Sequence, residues 1–385
     1  MDDVVIVATA RTAIGRAFKG SLRDARPDDL GGFVVRGLLD QVPALDPADV
    51  EDVIVGTAVP EGEQGLGIGR LVAALSGLPE SVPGSTVSRA CASSLQSIQS
   101  AFHAIRAGEG DVFVAAGVES VSRVQSGAPT DNPRFLEDAR PDFVGRMYTS
   151  MLQTAENVAV RHDVSRARMD ELALLSQQRA AQATDDGFFR REILPWTTAD
   201  GTVVDTDDCP RPGTTLDGLS SLAPVLGEPH RVTAGNACPL NDGAAAVLVM
   251  SAERARQLEL TPMARILGSA VTGLDPEYMG VGPIDACRKV LDRAGMTMKD
   301  IDVVELNEAF AAQVLAVTDA LEISVEDQLN PHGGAIALGH PFGMTGARIM
   351  TTLLNGLRTR DQQLGIETMC VGGGMGMAML VERLD

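Results

Sequence analysis

The feature that most constrains this chain is a repeat. Val4-Val5-Ile6-Val7-Ala8-Thr9-Ala10 has a counterpart in Ala264-Arg265-Ile266-Leu267-Gly268-Ser269-Ala270. The segment 49–55 matches 300–306, each following a Leu-Asp pair (Leu39-Asp40 and Leu291-Asp292), and 111–117 matches 367–373. These three pairs share an offset of roughly 250–260 residues, the signature of a duplicated half. A fourth pair, 246–249 with 378–381, is offset by only about half as much, which implies a large insertion in the first half. Each half alternates strand-length apolar runs with helical stretches. That alternation predicts an α/β chain with parallel or mixed sheets covered by helices.

A chain of 385 residues suits two or three packed units. Within the insertion, 155–183 carries helical spacing through Val158, Leu172, Leu175 and Ala180, and Ser165 reads as a helix start. Residues 197–241 are rich in Gly, Pro, Thr and Asp and read as surface loops, serving as a substrate cover or as a plain structural lid. The balance of 32 basic against 52 acidic side chains gives a net charge of −20, which argues against a nucleic-acid partner. Apart from Lys19, Lys289 and Lys299 the basic residues are arginines, whose planar fork suits a phosphate-bearing small molecule. Cys91, Cys209, Cys238, Cys287 and Cys370 are odd in number and contain no CxxC pair. They predict no disulfide framework, no metal site and a reducing, cytoplasmic setting. The start, Met1-Asp2-Asp3, is acidic where a signal peptide needs basic residues, and no stretch is long enough for a membrane span.

Four segments could carry chemistry. Cys91 precedes apolar positions Leu95, Ile98, Phe102 and Ile105 at helical spacing, with Gly108 as a stop. A thiol at the opening turn of a helix is expected to shift towards the thiolate, although a free cysteine can equally be an inert core residue. At the corresponding place in the second half, a glycine-punctuated loop carries His340 and runs into a helix over 347–357. His340 is therefore a base candidate for Cys91, or a solvated loop histidine. Cys370 ends a strand before Gly372-Gly373-Gly374, whose bare backbone N–H groups could hold an oxyanion or simply form a turn. Asn307 ends another strand and reads as a helix cap, or as an amide in the same site.

Together these segments resemble the thiolase family, the acetyl-CoA acetyltransferases and 3-ketoacyl-CoA thiolases. Ser88-Arg89-Ala90-Cys91-Ala92-Ser93 looks like the nucleophile signature; Asn307-Glu308-Ala309-Phe310, Gly339-His340-Pro341 and Cys370-Val371-Gly372-Gly373-Gly374 look like the remaining active-site blocks. Thr154–Ala159 and Val232–Asn236 look like segments flanking coenzyme A. The resemblance implies a thiolase fold: two similar βαβαβαββ halves in a five-layer αβαβα sandwich, with a loop domain inserted in the first half. Residues 1–120 plus 242–262 would form the N-terminal half, 121–241 the loop domain over the CoA site, and 263–385 the C-terminal half. It implies that His340 deprotonates Cys91, that Cys91 carries the acyl group, and that Cys370 moves the α-proton of acetyl-CoA. One oxyanion site would use His340 with a water on Asn307, the other the N–H groups of Cys91 and Gly372. Met151, Ala234, Cys238, Met279, Ala309 and Phe310 would contact coenzyme A or substrate. The partners implied are acetyl-CoA with acyl-CoA or 3-ketoacyl-CoA, with no bound cofactor or metal, in a homodimer or homotetramer.

The chain departs from the family pattern at Ser88 (usually Asn), Ser94 (usually Gly), Ser150 (commonly His), Ala223 (often a CoA-contacting Arg) and Cys238-Pro239 (often Ser-Gly). Cys238 reads as a near-isosteric swap for Ser, or as a redox-active thiol. Two other functions remain for comparison: a ketoacyl-synthase-like condensing enzyme, which would carry His where Cys370 stands, and a non-catalytic acyl-CoA-binding protein. Alkylation of Cys91 by iodoacetamide near neutral pH is expected of an enzyme and not of such a binding protein.

Overall fold

The computed structural model describes residues 3–124 and 146–385, so the stretch 125–145 of the expected loop domain lies outside the described residues. The strands are β1 (Val4–Arg11), β2 (Gly15–Arg16), β3 (Asp52–Gly56), β4 (Gly84–Val87), β5 (Val112–Ser120), β6 (Trp196–Thr197), β7 (Val203–Val204), β8 (Asn241–Ser251), β9 (Ala264–Gly273), β10 (Val303–Leu306), β11 (Leu364–Val371) and β12 (Met375–Arg383). The helices are α1 (Pro27–Leu39), α2 (Ile68–Leu75), α3 (Ser93–Ala107), α4 (Met151–Arg161), α5 (Arg166–Asp185), α6 (Leu216–Ser220), α7 (Ala252–Gln257), α8 (Gly282–Ala294), α9 (Ala311–Leu321), α10 (Ala335–Leu338) and α11 (Thr345–Thr359).

The duplication is visible in the strand order. One run reads β1-β8-β5-β3-β4 and the other β9-β12-β11-β10. Matching β1 with β9, β8 with β12, β5 with β11 and β3 with β10 makes the runs identical in order and in pairing sense. β4 finds its echo in Leu329, which bridges β10 in parallel. The strands of all four sequence pairs fall on these matched positions. In the second half a tight turn at Gly372–Gly374 joins β11 to β12; in the first half the β5-to-β8 connection holds the insertion instead. The two runs meet along a narrow antiparallel seam, Val5 opposite Arg265 and Ile6 opposite Ala264.

Five layers follow from where the helices pack. α1 and α2 cover the outer face of the first run, α8 covers that of the second with α9 beside it, and α3 and α11 cross between the two. All of Thr345–Leu357 in α11 is buried, as a helix surrounded on every side must be. α3 buries Leu95, Ile98, Ala101 and Ile105 and stops at Gly108, which takes the left-handed conformation at φ 79°. Small residues let these central helices sit close. Ser94, at a departure from the family pattern, accepts a hydrogen bond from the Ala347 N–H across the helix pair at 2.9 Å.

The expected helical stretch 155–183 is two helices. α4 ends at His162, and Ser165 starts α5 by accepting from Arg168 N–H. The insertion is anchored by Arg11, fully buried, which binds Glu192 at 2.8 Å and Asp207 through two bonds of 2.8 and 3.0 Å. Glu156 in α4 accepts from the N–H groups of Arg231 and Val232, so the two segments likened to CoA-flanking blocks are bonded to each other.

Candidate active site

Cys91 lies between β4 and α3, in a turn strained one residue earlier: Ala90 is held at φ 42°, a left-handed conformation costly for a residue with a Cβ. Ser93 clamps the turn, accepting from Arg89 N–H at 2.9 Å and donating to Ala90 O at 2.6 Å. The backbone N–H groups of Gly372 and of Cys91 itself act on the Cys91 thiol and pull it towards the thiolate. Burial nevertheless dominates and pushes the thiol up to about 11, with the Glu119 carboxylate adding to the rise. The expected shift towards thiolate is thus reversed: the Gly372 and Cys91 amides pull the thiol down, but loss of water outweighs them.

His340 comes from the loop between α10 and α11. Gly339 before it sits at φ 109°, and a Cβ there would lie 2.7 Å from the Asn241 side chain. That same Asn241 accepts from the His340 N–H at 2.9 Å, so glycine is what brings the loop onto β8. The ring is buried and bonded at both nitrogens. Nδ1 is 2.7 Å from the Thr345 hydroxyl, and Nε2 is 3.3 Å from Asn307 Nδ2. Thr345 gives its single proton to Pro341 O at 2.7 Å, so Nδ1 is the donor and Nε2 the bare acceptor facing the amide. Burial, with the Arg348 charge adding, drives the ring down to about 3. This is a neutral base with its lone pair on Nε2.

Asn307 follows β10 and is fixed by its N–H to Thr368 O at 3.0 Å. It caps nothing, because the next helix, α9, begins with Phe310 at its N-cap, three residues on. The capping expectation fails there, and the side chain turns to His340 directly instead. Neighbouring Glu308 points away and is held by Ser176, Asn330 and the Ile336 N–H.

Cys370 is buried on β11. Its thiol is pushed well up, first by burial and then by Cys91 and Cys238, so the three thiols lie within electrostatic reach of one another. After it, Gly372 approaches Ala90 without crowding, while Gly374 takes φ 81° where a Cβ would meet Leu274 O at 2.4 Å. The turn that presents the Gly372 N–H to Cys91 therefore requires glycine at 374.

The residues expected to hold substrate divide into groups. Cys238, Ala309 and Phe310 join at one place: Cys238 N–H donates to Ala309 O at 3.0 Å, and Ala237 bridges Phe310. Ala234 lines a cleft of about 250 Å³ with Arg211, Gly218, Leu222, Ala237 and Pro239. Met151 opens α4 and is exposed, and Met279 is buried in a short 3-10 turn packed on α4; neither lines that cleft. Arg211, the one cation lining it among the described residues, escaped the sequence reading because it sits in a featureless loop. Ser150, a departure, serves as N-cap of α4 by accepting from Gln153 N–H.

A thiol beside backbone N–H groups and a second thiol, with a neutral imidazole in the other half, suits a class of enzymes that transfer acyl groups through cysteine. Comparison with known proteins narrows the class. The family described as "Thiolase, N-terminal domain" matches residues 4–253 and "Thiolase, C-terminal domain" matches 260–383. A 3-ketoacyl-CoA thiolase of Saccharophagus degradans is 44% identical over 390 residues, covering 99% of this chain and 98% of that one. A beta-ketoadipyl-CoA thiolase of Pseudomonas putida is 44% identical over 403 residues, covering 100% of both. The crystal structure of the Bacillus anthracis acetyl-CoA acetyltransferase superposes with a TM-score of 0.91 at 36% identity, covering 100% of this chain and 99% of that one. The chain belongs to the thiolase family, has the thiolase fold, and is an acyltransferase.

Proposed function

We propose that this enzyme moves an acyl group reversibly between CoA thioesters through an acyl-Cys91 intermediate. It condenses acetyl-CoA with an acyl-CoA or cleaves a 3-ketoacyl-CoA with free CoA. The observation that supports this reading is that the Gly372 and Cys91 N–H groups act on the Cys91 sulfur, with a second thiol, Cys370, near enough to be affected by it. His340 Nε2 takes the Cys91 proton as the sulfur attacks the thioester carbonyl, and the Cys370 thiol gives its own proton to the departing CoA sulfur, which leaves His340 as imidazolium and Cys370 as thiolate. The acyl oxygen rests on the Cys91 and Gly372 N–H groups. The Cys370 thiolate then removes the α-proton of acetyl-CoA, the enolate oxygen is held by protonated His340 and a water on Asn307, and the enolate attacks the acyl group as the Cys91 sulfur leaves and takes back the proton from His340. Asn307 Nδ2 lies 3.3 Å from His340 Nε2, which supports an oxyanion site at that edge of the ring. No bound cofactor is needed for these steps.

Coenzyme A lies along the cleft at Ala234, with Arg211 meeting phosphate in place of the arginine replaced by Ala223. Met151, Cys238, Met279, Ala309 and Phe310 are assigned to the pantetheine and acyl end. The chain divides into 1–120 plus 242–262, the loop domain 121–241, and 263–385. We place the enzyme in the cytoplasm as a homodimer or homotetramer without nucleic-acid or membrane partners; among the described residues no helix is long and apolar enough to cross a membrane. Steady-state thiolysis of acetoacetyl-CoA against longer 3-ketoacyl-CoA tests the reading. Turnover of either is the expected result, and condensation that requires a malonyl donor would point to a ketoacyl-synthase-like enzyme instead.

A further inference from the structure

A buried carboxylate that takes no part in the reaction above sits where the two halves touch. Glu119 is 1% exposed and lies near the end of β5, just past the point at which the counterpart strand β11 turns at Gly372–Gly374. Every partner of its two oxygens is a donor. Oε2 accepts from Ala58 N–H at 2.8 Å and from Gly343 N–H at 2.7 Å. Oε1 accepts from Gln64 Nε2 at 2.6 Å, Val59 N–H at 3.2 Å and the Thr57 hydroxyl at 3.3 Å. The Gln64 amide is itself fixed, because its oxygen accepts from Ser120 N–H at 2.6 Å. Burial pushes the Glu119 carboxyl up while its donors pull it down, and two oxygens that only accept are what the ionised form supplies.

Those donors come from both sides of the active site. Thr57 to Val59 follow β3 in the first half, and Thr57 N–H donates at 3.1 Å to Val87 O, at the end of β4 just before the Cys91 turn. The Ser93 hydroxyl that clamps this turn lies 3.2 Å from Thr57 O. Gly343 belongs to the second half. It sits between His340 and Thr345, whose hydroxyl is 2.7 Å from His340 Nδ1. The two backbones approach closely enough there to exclude a side chain: a Cβ on Gly343 would lie 2.5 Å from Val118 O and 2.7 Å from Thr57 Cα. One carboxylate thus bonds the strand end beside the nucleophile turn and the loop that carries the base. We propose that Glu119 is a positioning residue for acyl transfer, which holds the Cys91 turn and the His340 loop in register across the two halves.

Glutamine at this position cannot serve the same donors. Turned one way, its NH2 meets the Ala58 and Gly343 N–H groups; turned the other, it meets the Val59 N–H and the Gln64 amide. Register and charge pull in opposite directions. The Glu119 carboxylate opposes thiolate formation at Cys91, so its loss acting through charge alone would speed acylation, whereas loss of register slows it.

The inference rests on the proposed roles of Cys91 and His340, and the experiment separates the two. Acetylation of Cys91 by acetyl-CoA is followed in single turnovers of the unchanged enzyme and of Glu119→Gln, with rates expressed per folded molecule. The limiting rate is expected to fall by about tenfold or more, while the acetyl-CoA concentration giving half of it stays within about twofold. A merely structural role would lower the unfolding midpoint and leave the rate per folded molecule unchanged. That result, a faster rate, or a change confined to the half-maximal concentration overturns the proposal. If the variant does not fold, crystals of the unchanged enzyme acetylated on Cys91 decide: Glu119 is expected to bridge the Ala58 and Gly343 N–H groups, and a carboxylate out of hydrogen-bond reach of either overturns the proposal. Absence of any acetyl transfer by the unchanged enzyme would instead overturn the thiolase reading on which it rests.

Discussion

At the scale of single residues, the account turns on how burial treats two groups. Cys91 is pushed up and His340 down, so the resting pair is thiol and neutral imidazole rather than an ion pair. Slow alkylation near neutral pH is therefore expected of the active enzyme, and it cannot separate an enzyme from a binding protein as the sequence alone led us to expect. Half-reactions can. Cys91→Ala should abolish acyl transfer, whereas Cys370→Ala should still acylate at Cys91 but lose condensation; equal loss of both half-reactions in the Cys370 variant would count against its role. Ala90 offers a subtler probe. Replacing it by glycine relieves the left-handed strain and should raise stability by about 1 kcal/mol, read as a higher unfolding midpoint, while loosening the nucleophile and lowering kcat. His340 and Cys370 were legible because each stands at a loop or strand end close to glycine, and Cys91 because it precedes apolar positions at helical spacing. Their charge states were not, because desolvation depends on what packs around them, and neither was the Ala90 strain.

At the scale of elements, the strands β10 and β11 with helix α11 form the unit that carries Asn307, Cys370 and His340. Burial raises Glu305 in this unit above its unfolded value of 4.5 to about 8. The native state then binds the proton more tightly than the unfolded chain, so this stabilisation is complete below about 4.5 and is lost as pH rises through about 8. Glu305→Gln should accordingly match the unchanged protein in thermal midpoint at low pH and exceed it increasingly between pH 4.5 and 8; a constant difference would contradict the assignment. His340 has the opposite sign. Its folded value lies below the unfolded 6.5, so stability is complete above about 6.5 and falls as pH drops towards 3. Helix α3 was readable from its apolar spacing and its Gly108 stop, and α11 from the glycine-punctuated loop that runs into it. The break between α4 and α5 was less so, since Val158 and Leu172 keep helical spacing across it and only Ser165 marks the restart.

At the scale of the whole molecule, duplication does two things. It stacks two copies of one strand order around a central helix pair, and it places the first half's Cys91 turn opposite the second half's His340 loop. The repeat in sequence was enough to see this, because β-strands buried on both faces keep their apolar runs. What holds the insertion was not visible: Arg11 pairs with Glu192 and Asp207 across more than 180 residues, and nothing local marks the three as partners. Removing Arg11 strands two buried carboxylates, so Arg11→Met should cost about 3–5 kcal/mol, measured by denaturant unfolding. The central claim spans the same distance, since the sulfur that takes the acyl group and the N–H of Gly372 come from different halves. Incubating the Cys370→Ala variant with acetyl-CoA and mapping the modified peptide by mass spectrometry tests it most directly. The account predicts a single acetyl group on Cys91; acetylation at Cys238 instead, or none at all in a folded protein, would contradict it.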